Sequence, residues 1–140
     1  MSLWRRSMKD EDNPLRAASE LARAGKLGEA IACLEEALAR SRPSASRPAN
    51  TALLAKTAGL LCDQDGDLLR AASYYDEAIA TEGPQPFTLV ALADVYFRLG
   101  RVREAQACHA RAASLARSSG DEDAQTVVAA ARAKWEGGSG

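Results

Sequence analysis

Aromatic side chains are scarce in this chain. Only 5% of its 140 residues are Phe, Trp or Tyr, whereas 26% are charged. No apolar run approaches the roughly 20 residues that a helix needs to cross a bilayer, so no membrane span is predicted. No β-branched run of strand length is bounded by turn residues, so an all-helical fold is favoured.

Charge of the two signs is nearly balanced, and the formal net charge is −1. Such a chain has no long-range field that would attract nucleic acid. Five arginines and two aromatic residues do lie in one part of the sequence: Tyr96, Phe97, Arg98, Arg101, Arg103, Arg111 and Arg117. They could form a patch for RNA or an acidic peptide. Because arginine also has a high helix propensity, a solvated helix face is the favoured interpretation. No nucleic acid or membrane partner is predicted.

Histidine and cysteine are also rare. His109 is the only histidine, and Cys33, Cys62 and Cys108 are far apart in the sequence. This number and spacing exclude a zinc cluster, and scattered, odd cysteines favour a reducing cytoplasm. An aspartate-rich stretch around Gly66 resembles a calcium loop but lacks the downstream glutamate. We therefore predict no cofactor, no metal, no catalytic residue and no enzyme activity.

A repeat is the strongest feature of the sequence. The segment from residue 89 to 115 aligns with an earlier segment after a shift of 34 residues, and with a third after a further 41. The equivalent residues are Gly25, Leu27, Ala30, Leu34 and Ala37, then Gly66, Leu68, Ala71, Tyr75 and Ala78, then Gly100, Val102, Ala105, His109 and Ala112. A period of about 34 residues indicates an array of helix-turn-helix repeats. His109 is accordingly expected to be a packed helix residue.

On these residues the chain resembles the tetratricopeptide repeat (TPR) family, over roughly residues 11–119. The third repeat has the family's signature residues at Leu92, Ala93, Tyr96, Gly100, Ala105 and Ala112. Departures occur where the family usually has an aromatic residue, at Leu21 and Cys62, and where it often has Trp, at Pro14 and Ala55. The resemblance implies an all-α fold, a right-handed α-α superhelix.

The domain organisation follows from the repeats and from helix-end signals. We predict a tail at 1–12, one TPR-like domain at 13–136 and a tail at 137–140. The repeats lie at about 11–44, 52–85 and 86–119, and a capping helix at about 121–136. Asn13 and Pro14 start the first helix, because Asn is a good N-cap and Pro fits the first helical position. Ser119 and Glu122 have capping-box spacing before the last helix, which we expect to cover the open end of the core.

The family resemblance also implies where a partner binds. In the family, the first helix of each pair lines a concave groove. Helical spacing points one stripe of each first helix into that groove. The stripe residues are Leu15 and Ser19, then Leu53, Lys56 and Leu60, then Phe87, Val90, Asp94, Phe97 and Arg98. One branch of the family binds chaperone C-terminal carboxylates through Lys, Arg and Asn at these places. This chain has Leu, Ser, Val and Asp instead, so that partner is not predicted.

The predicted function is therefore a protein–protein interaction scaffold or adaptor. Its apolar groove suits an amphipathic helix or peptide of a partner protein. The Ala- and Arg-rich composition indicates a bacterial protein, and the cysteines indicate the cytoplasm. One alternative is a structural homo-oligomer that assembles through the same surface. In another, Trp4 and the N-terminal tail fill the groove. An enzyme that uses His109 is the third possibility.

Overall fold

The computed structural model describes residues 13–43 and 48–138, and these ranges contain no strand. The helices are α1 (Pro14–Arg23), α2 (Leu27–Ser41), α3 (Pro48–Gln64), α4 (Leu68–Glu82), α5 (Pro86–Arg98), α6 (Val102–Ser119) and α7 (Glu122–Gly138). The predicted all-α helical-repeat fold is confirmed. Trp4 and the middle of the 42–48 linker lie outside the described residues. None of the described helices is long and apolar enough to span a bilayer.

Neighbouring helices pack as three pairs. The pairs are α1–α2, α3–α4 and α5–α6, and each second helix also packs on the first helix of the next pair. α7 packs on both α5 and α6. It therefore lies against the third pair as another first helix would, although no second helix of its own follows it in the described residues.

The same corner joins the two helices of every pair. Gly25, Gly66 and Gly100 have φ of +80°, +85° and +82°, a conformation that glycine adopts without a steric penalty. The amide that follows each glycine donates to a carbonyl five residues earlier, which satisfies the end of the first helix. These donor–acceptor pairs are Lys26–Leu21, Asp67–Cys62 and Arg101–Tyr96, at 2.9, 2.9 and 2.8 Å. The aligned glycines of the sequence repeat thus mark one recurring turn.

Small side chains bring the paired helices close together. Ala30, Ala71 and Ala105 are equivalent in the three repeats, and all three are fully buried. The main core extends through the first two pairs and into α5. A second cluster joins α5, α6 and α7 through Leu89, Ala112, Ala116, Ala124 and Val128. α7 therefore covers the end of the core.

The two predicted helix starts differ in outcome. Asn13 caps α1 as predicted, because its side chain accepts a hydrogen bond from the backbone N of Arg16 at 3.2 Å. The predicted capping box before α7 is wrong. Ser119 is still the last residue of α6, and the cap of α7 is Asp121, whose Oδ1 accepts from the backbone N of Ala124 at 3.1 Å.

Candidate protein-interaction surface

α3 carries two large apolar side chains that remain in contact with solvent. Leu53 is 44% exposed and Leu60 is 48% exposed. They lie seven residues apart, so they are stacked on one face of the helix. The opposite face holds the buried residues Thr51, Leu54, Ala55, Ala58, Leu61 and Cys62. At the start of α5, Phe87 is 50% exposed. We call Leu53, Leu60 and Phe87 the exposed stripe.

The two leucines of the exposed stripe lie on α3, between the neighbouring first helices α1 and α5. α1 contacts α3 on one side. On the other side, Asp63 of α3 forms an ion pair with Arg98 of α5. Lys56 borders the leucines on this same edge and pairs with Glu82, the last residue of α4, at 2.7 Å. The two leucines are therefore exposed on the side of α3 that lies between α1 and α5; that this surface is a partner-binding groove stays a prediction.

The charged residues of the predicted groove are paired within the chain. Arg98 donates to Asp63, and it also pairs with Asp94 at 3.0 Å. Asp94 in turn accepts from Lys134 of α7 at 3.3 Å. The hydrogen bond with Asp63 is the main cause that raises the pKa of Arg98. These four residues form a charged ladder across α3, α5 and α7, and it ties the layers together.

α7 covers the third-repeat part of the predicted groove. The rings of Phe97 and Trp135 stack with centroids 5.4 Å apart and planes 9° apart. His109 packs edge-on against Trp135 at 5.1 Å, and its Nε2 donates to the carbonyl of Val128 at 2.9 Å. His109 is thus a packed helix residue. Val90 contacts the second core cluster. Sequence reasoning missed Trp135, although a lone aromatic residue in a capping helix is a usable signal.

The first helix presents a polar surface instead. Leu15 is half-buried against the main core, whereas Ser19 is exposed. Arg16 and Glu20 form an exposed ion pair at 3.3 Å. The apolar surface that is left open in the groove is therefore centred on α3 and on the start of α5.

A cavity of about 620 Å³ lies beyond the groove, between α6 and α7. Phe97, His109 and Trp135 form its aromatic side. Its charged side holds Arg117, together with Arg132 and Glu136, which form an ion pair at 3.1 Å. Within residues 13–43 and 48–138, no three His, Cys, Asp or Glu side chains are grouped to hold a metal ion. The cavity lining thus places aromatic side chains beside charges of both signs.

Comparisons with known proteins match the third helix pair to a family and find similar solved structures. The family described as tetratricopeptide repeat matches residues 88–123, which cover most of α5, all of α6 and the first two residues of α7. Among solved structures, the chain is similar to a thermophilic TPR protein of Thermus thermophilus. The identity is 20%, the match covers 86% of this chain and 98% of that one, and the TM-score is 0.44. No curated protein sequence matches the chain.

Proposed function

We propose that this tetratricopeptide repeat protein, whose family repeat spans residues 88–123, is a scaffold or adaptor that binds a helix of a partner protein. Repeats of this family generally mediate protein–protein interactions, and stacked repeats use extended concave surfaces for binding. One observation carries the proposal: Leu53, Leu60 and Phe87 are about half exposed on the first helices. Large apolar side chains grouped on a surface mark contact sites.

The chemistry of the groove favours an amphipathic helix over an acidic tail. The two leucines are two helical turns apart, and a helix laid in a groove offers apolar anchors at similar intervals. Asp94, Arg98 and Lys56 already have partners within the chain, so apolar contacts supply most of the binding energy. Such binding depends little on salt, because only charge pairs are screened. A carboxylate tail would find no unpaired cation among these three residues.

The proposed compartment is the cytoplasm. Cys62 and Cys108 are not in disulfides in the structure, and reduced thiols persist where the environment is reducing. The proposed role is binding without catalysis, because His109, the one histidine, is engaged by Val128 and Trp135.

The test compares three forms of the chain as bait in lysate of the source organism. The first is unmodified, the second carries Leu60→Glu with Phe87→Glu, and the third carries Leu69→Glu. Leu69 is 61% exposed on α4, outside the exposed stripe, so Leu69→Glu is the matched control for adding a charge at an exposed apolar site. We expect a protein that the unmodified and Leu69→Glu forms retain and the double variant loses.

Two results would contradict the adaptor. Equal retention by all three forms would show that the stripe is not the binding surface. Alternatively, light scattering would detect a dimer or larger assembly of the unmodified chain that the double variant dissociates. In that case the chain is a homo-oligomer that assembles through the same surface. Circular dichroism of each form checks that helicity is kept, so that a loss of binding is not a loss of fold.

A further inference from the structure

Two ion pairs of identical spacing join the second helices of the first two repeats. Arg70 of α4 donates to Glu35 of α2. Arg42, which follows α2, donates to Glu77 of α4 at 2.8 and 2.9 Å. Each pair joins residues 35 positions apart, and the two pairs are seven residues apart along both helices. α2 and α4 therefore run parallel, with one ion pair two turns beyond the other.

α6 is equivalent to α2, but in the described residues no later second helix lies beside α6 as α4 lies beside α2. The offset from the first to the third repeat is 34 plus 41, or 75 residues. It places Arg117 at the position of Arg42, and Ala110 at the position of Glu35. Among the residues that the structure describes, no carboxylate forms an ion pair with Arg117. Arg117 and Ala110 both line the cavity of about 620 Å³ between α6 and α7.

The same face is covered in α2 and open in α6. Ile31 and Leu38 of α2 are 2% and 0% exposed. Their equivalents in α6 are Gln106, which is exposed, and Ala113, which is half-buried. Both line the cavity. A polar residue at one of these places lets the face contact water when it is unoccupied, while the small alanine leaves room for the side chain of another helix.

We propose that this cavity is a second docking site, which takes an amphipathic helix of a partner protein parallel to α6. The occupant is defined by α4, because α4 pairs with the equivalent side of α2. It presents a carboxylate to Arg117, as Glu77 does to Arg42. Seven residues earlier it presents an apolar side chain to Ala110, because no charge remains there to be paired. The cavity lining contains no residue of the exposed stripe, so this proposal stands without the proposed groove function.

A peptide derived from α4 is the probe that the geometry prescribes. It has the sequence of residues 68–82 with Arg70→Leu, and it keeps Glu77 as the carboxylate. In a chain with Trp4→Phe, Trp135 is the only tryptophan, and it lines the cavity. We expect the peptide to change the fluorescence of Trp135 in a saturable way. Arg117→Glu should weaken binding about five-fold or more, because it removes one charge pair and adds a repulsion.

A control variant and a charge swap test whether the peptide binds at Arg117 and is not merely attracted to the positive charge of α6. Arg111→Glu makes the same charge change on α6 at an exposed position outside the cavity lining, and it should leave binding within about two-fold. The peptide with Glu77→Lys should bind the Arg117→Glu chain more tightly than it binds the chain with Arg117. The groove variant Leu60→Glu with Phe87→Glu should keep full peptide binding.

Four results would overturn the proposal. The first is no saturable change in fluorescence. The second is an equal loss of binding with Arg111→Glu and Arg117→Glu, and the third is a charge swap that fails to restore binding. The fourth is a self-associated chain that Arg117→Glu converts to a monomer in light scattering, which would make a second copy the occupant. Failure here leaves the groove proposal untouched, since the groove is tested by different variants.

Discussion

The ring of Tyr75 lies directly against the backbone of Gly59. A methyl group at Gly59 would lie 2.9 Å from Cε1 of Tyr75, closer than two carbon atoms can approach without displacement. Tyr75 is 4% exposed, and burial raises its pKa to about 12. The glycine therefore provides space for the tyrosine ring where α3 crosses α4.

The other two repeats use different residues at these two places. Ala18 and Ala93 are equivalent to Gly59, and Leu34 and His109 are equivalent to Tyr75. The smaller residue thus occurs opposite the larger ring. In each helix pair the two residues at this contact differ in size, but together they fill the space between the helices. Such compensation is expected because protein interiors are close-packed.

Gly59→Ala is expected to destabilise the chain by about 1–3 kcal/mol, because the added methyl overlaps a buried ring. Urea unfolding measures the change. Gly28→Ala is the control, since a methyl at Gly28 of α2 has nothing within 4 Å. There, the gain in helix propensity should stabilise the chain by up to about 1 kcal/mol. Tyr75→Leu, which copies the first repeat, should remove most of the cost of Gly59→Ala. Equal stability of the two glycine variants would refute the steric account.

Ala105→Leu is expected to cost about 1–3 kcal/mol for a similar reason, because Ala105 is fully buried in the repeat's small-residue position and a larger side chain there overpacks the contact between paired helices. Thermal unfolding followed by circular dichroism measures the loss. Ala107→Leu is the control on the exposed side of the same helix, where a surface change should stay within about 0.5 kcal/mol. If Ala107→Leu lowers the stability as much as Ala105→Leu does, the close contact between α5 and α6 is not at Ala105.

The contact between Tyr74 and Glu35 should make stability depend on acid pH. The hydrogen bond from the Tyr74 hydroxyl is the main cause that lowers the pKa of Glu35, and Arg70 adds to it. A carboxyl whose pKa is lower in the folded than in the unfolded chain stabilises the fold at pH values above its unfolded pKa. That stabilisation is lost as the pH falls through the folded-state pKa. Tyr74→Phe should therefore lose less stability than the unmodified chain between about pH 5 and pH 3. The expected difference in stability is small, because the Tyr74–Glu35 pair is partly exposed. If the urea midpoints of the two chains fall in parallel as the pH is lowered, the prediction is contradicted.

The thiols of Cys62 and Cys108 should differ in reactivity. Cys62 is fully buried, and burial raises its pKa to about 11. Burial also raises the pKa of the half-buried Cys108. Because the thiolate is the reactive form, iodoacetamide at pH 8 should label Cys62 more slowly than Cys108, and in concentrated urea the two rates should converge. Mass spectrometry of the peptides measures both rates. Rapid labelling of Cys62 in the native chain would show that α3 opens readily.

The repeat offsets made the helices and corners predictable, because each corner needs the same glycine geometry and each pair the same small residue. Helical spacing also identified Leu53 and Leu60 as exposed. It could not show that Arg98 pairs with Asp63, since such pairs depend on how far neighbouring layers are displaced. It could not show that Trp135 covers Phe97 either. α7 lies after the last repeat, and its register against α5 is fixed by packing alone.

The stacking of each helix on its nearest neighbours has a kinetic consequence. Nearly all the packing described here joins helices that are adjacent or next-but-one along the chain, so few long loops must close before contacts form. Chains with such local contacts fold quickly. Folding can begin in the central α3–α4 pair and spread in both directions. Within residues 13–43 and 48–138, α1 and α7 pack against other helices on one side only, so these two helices should be the first to fray.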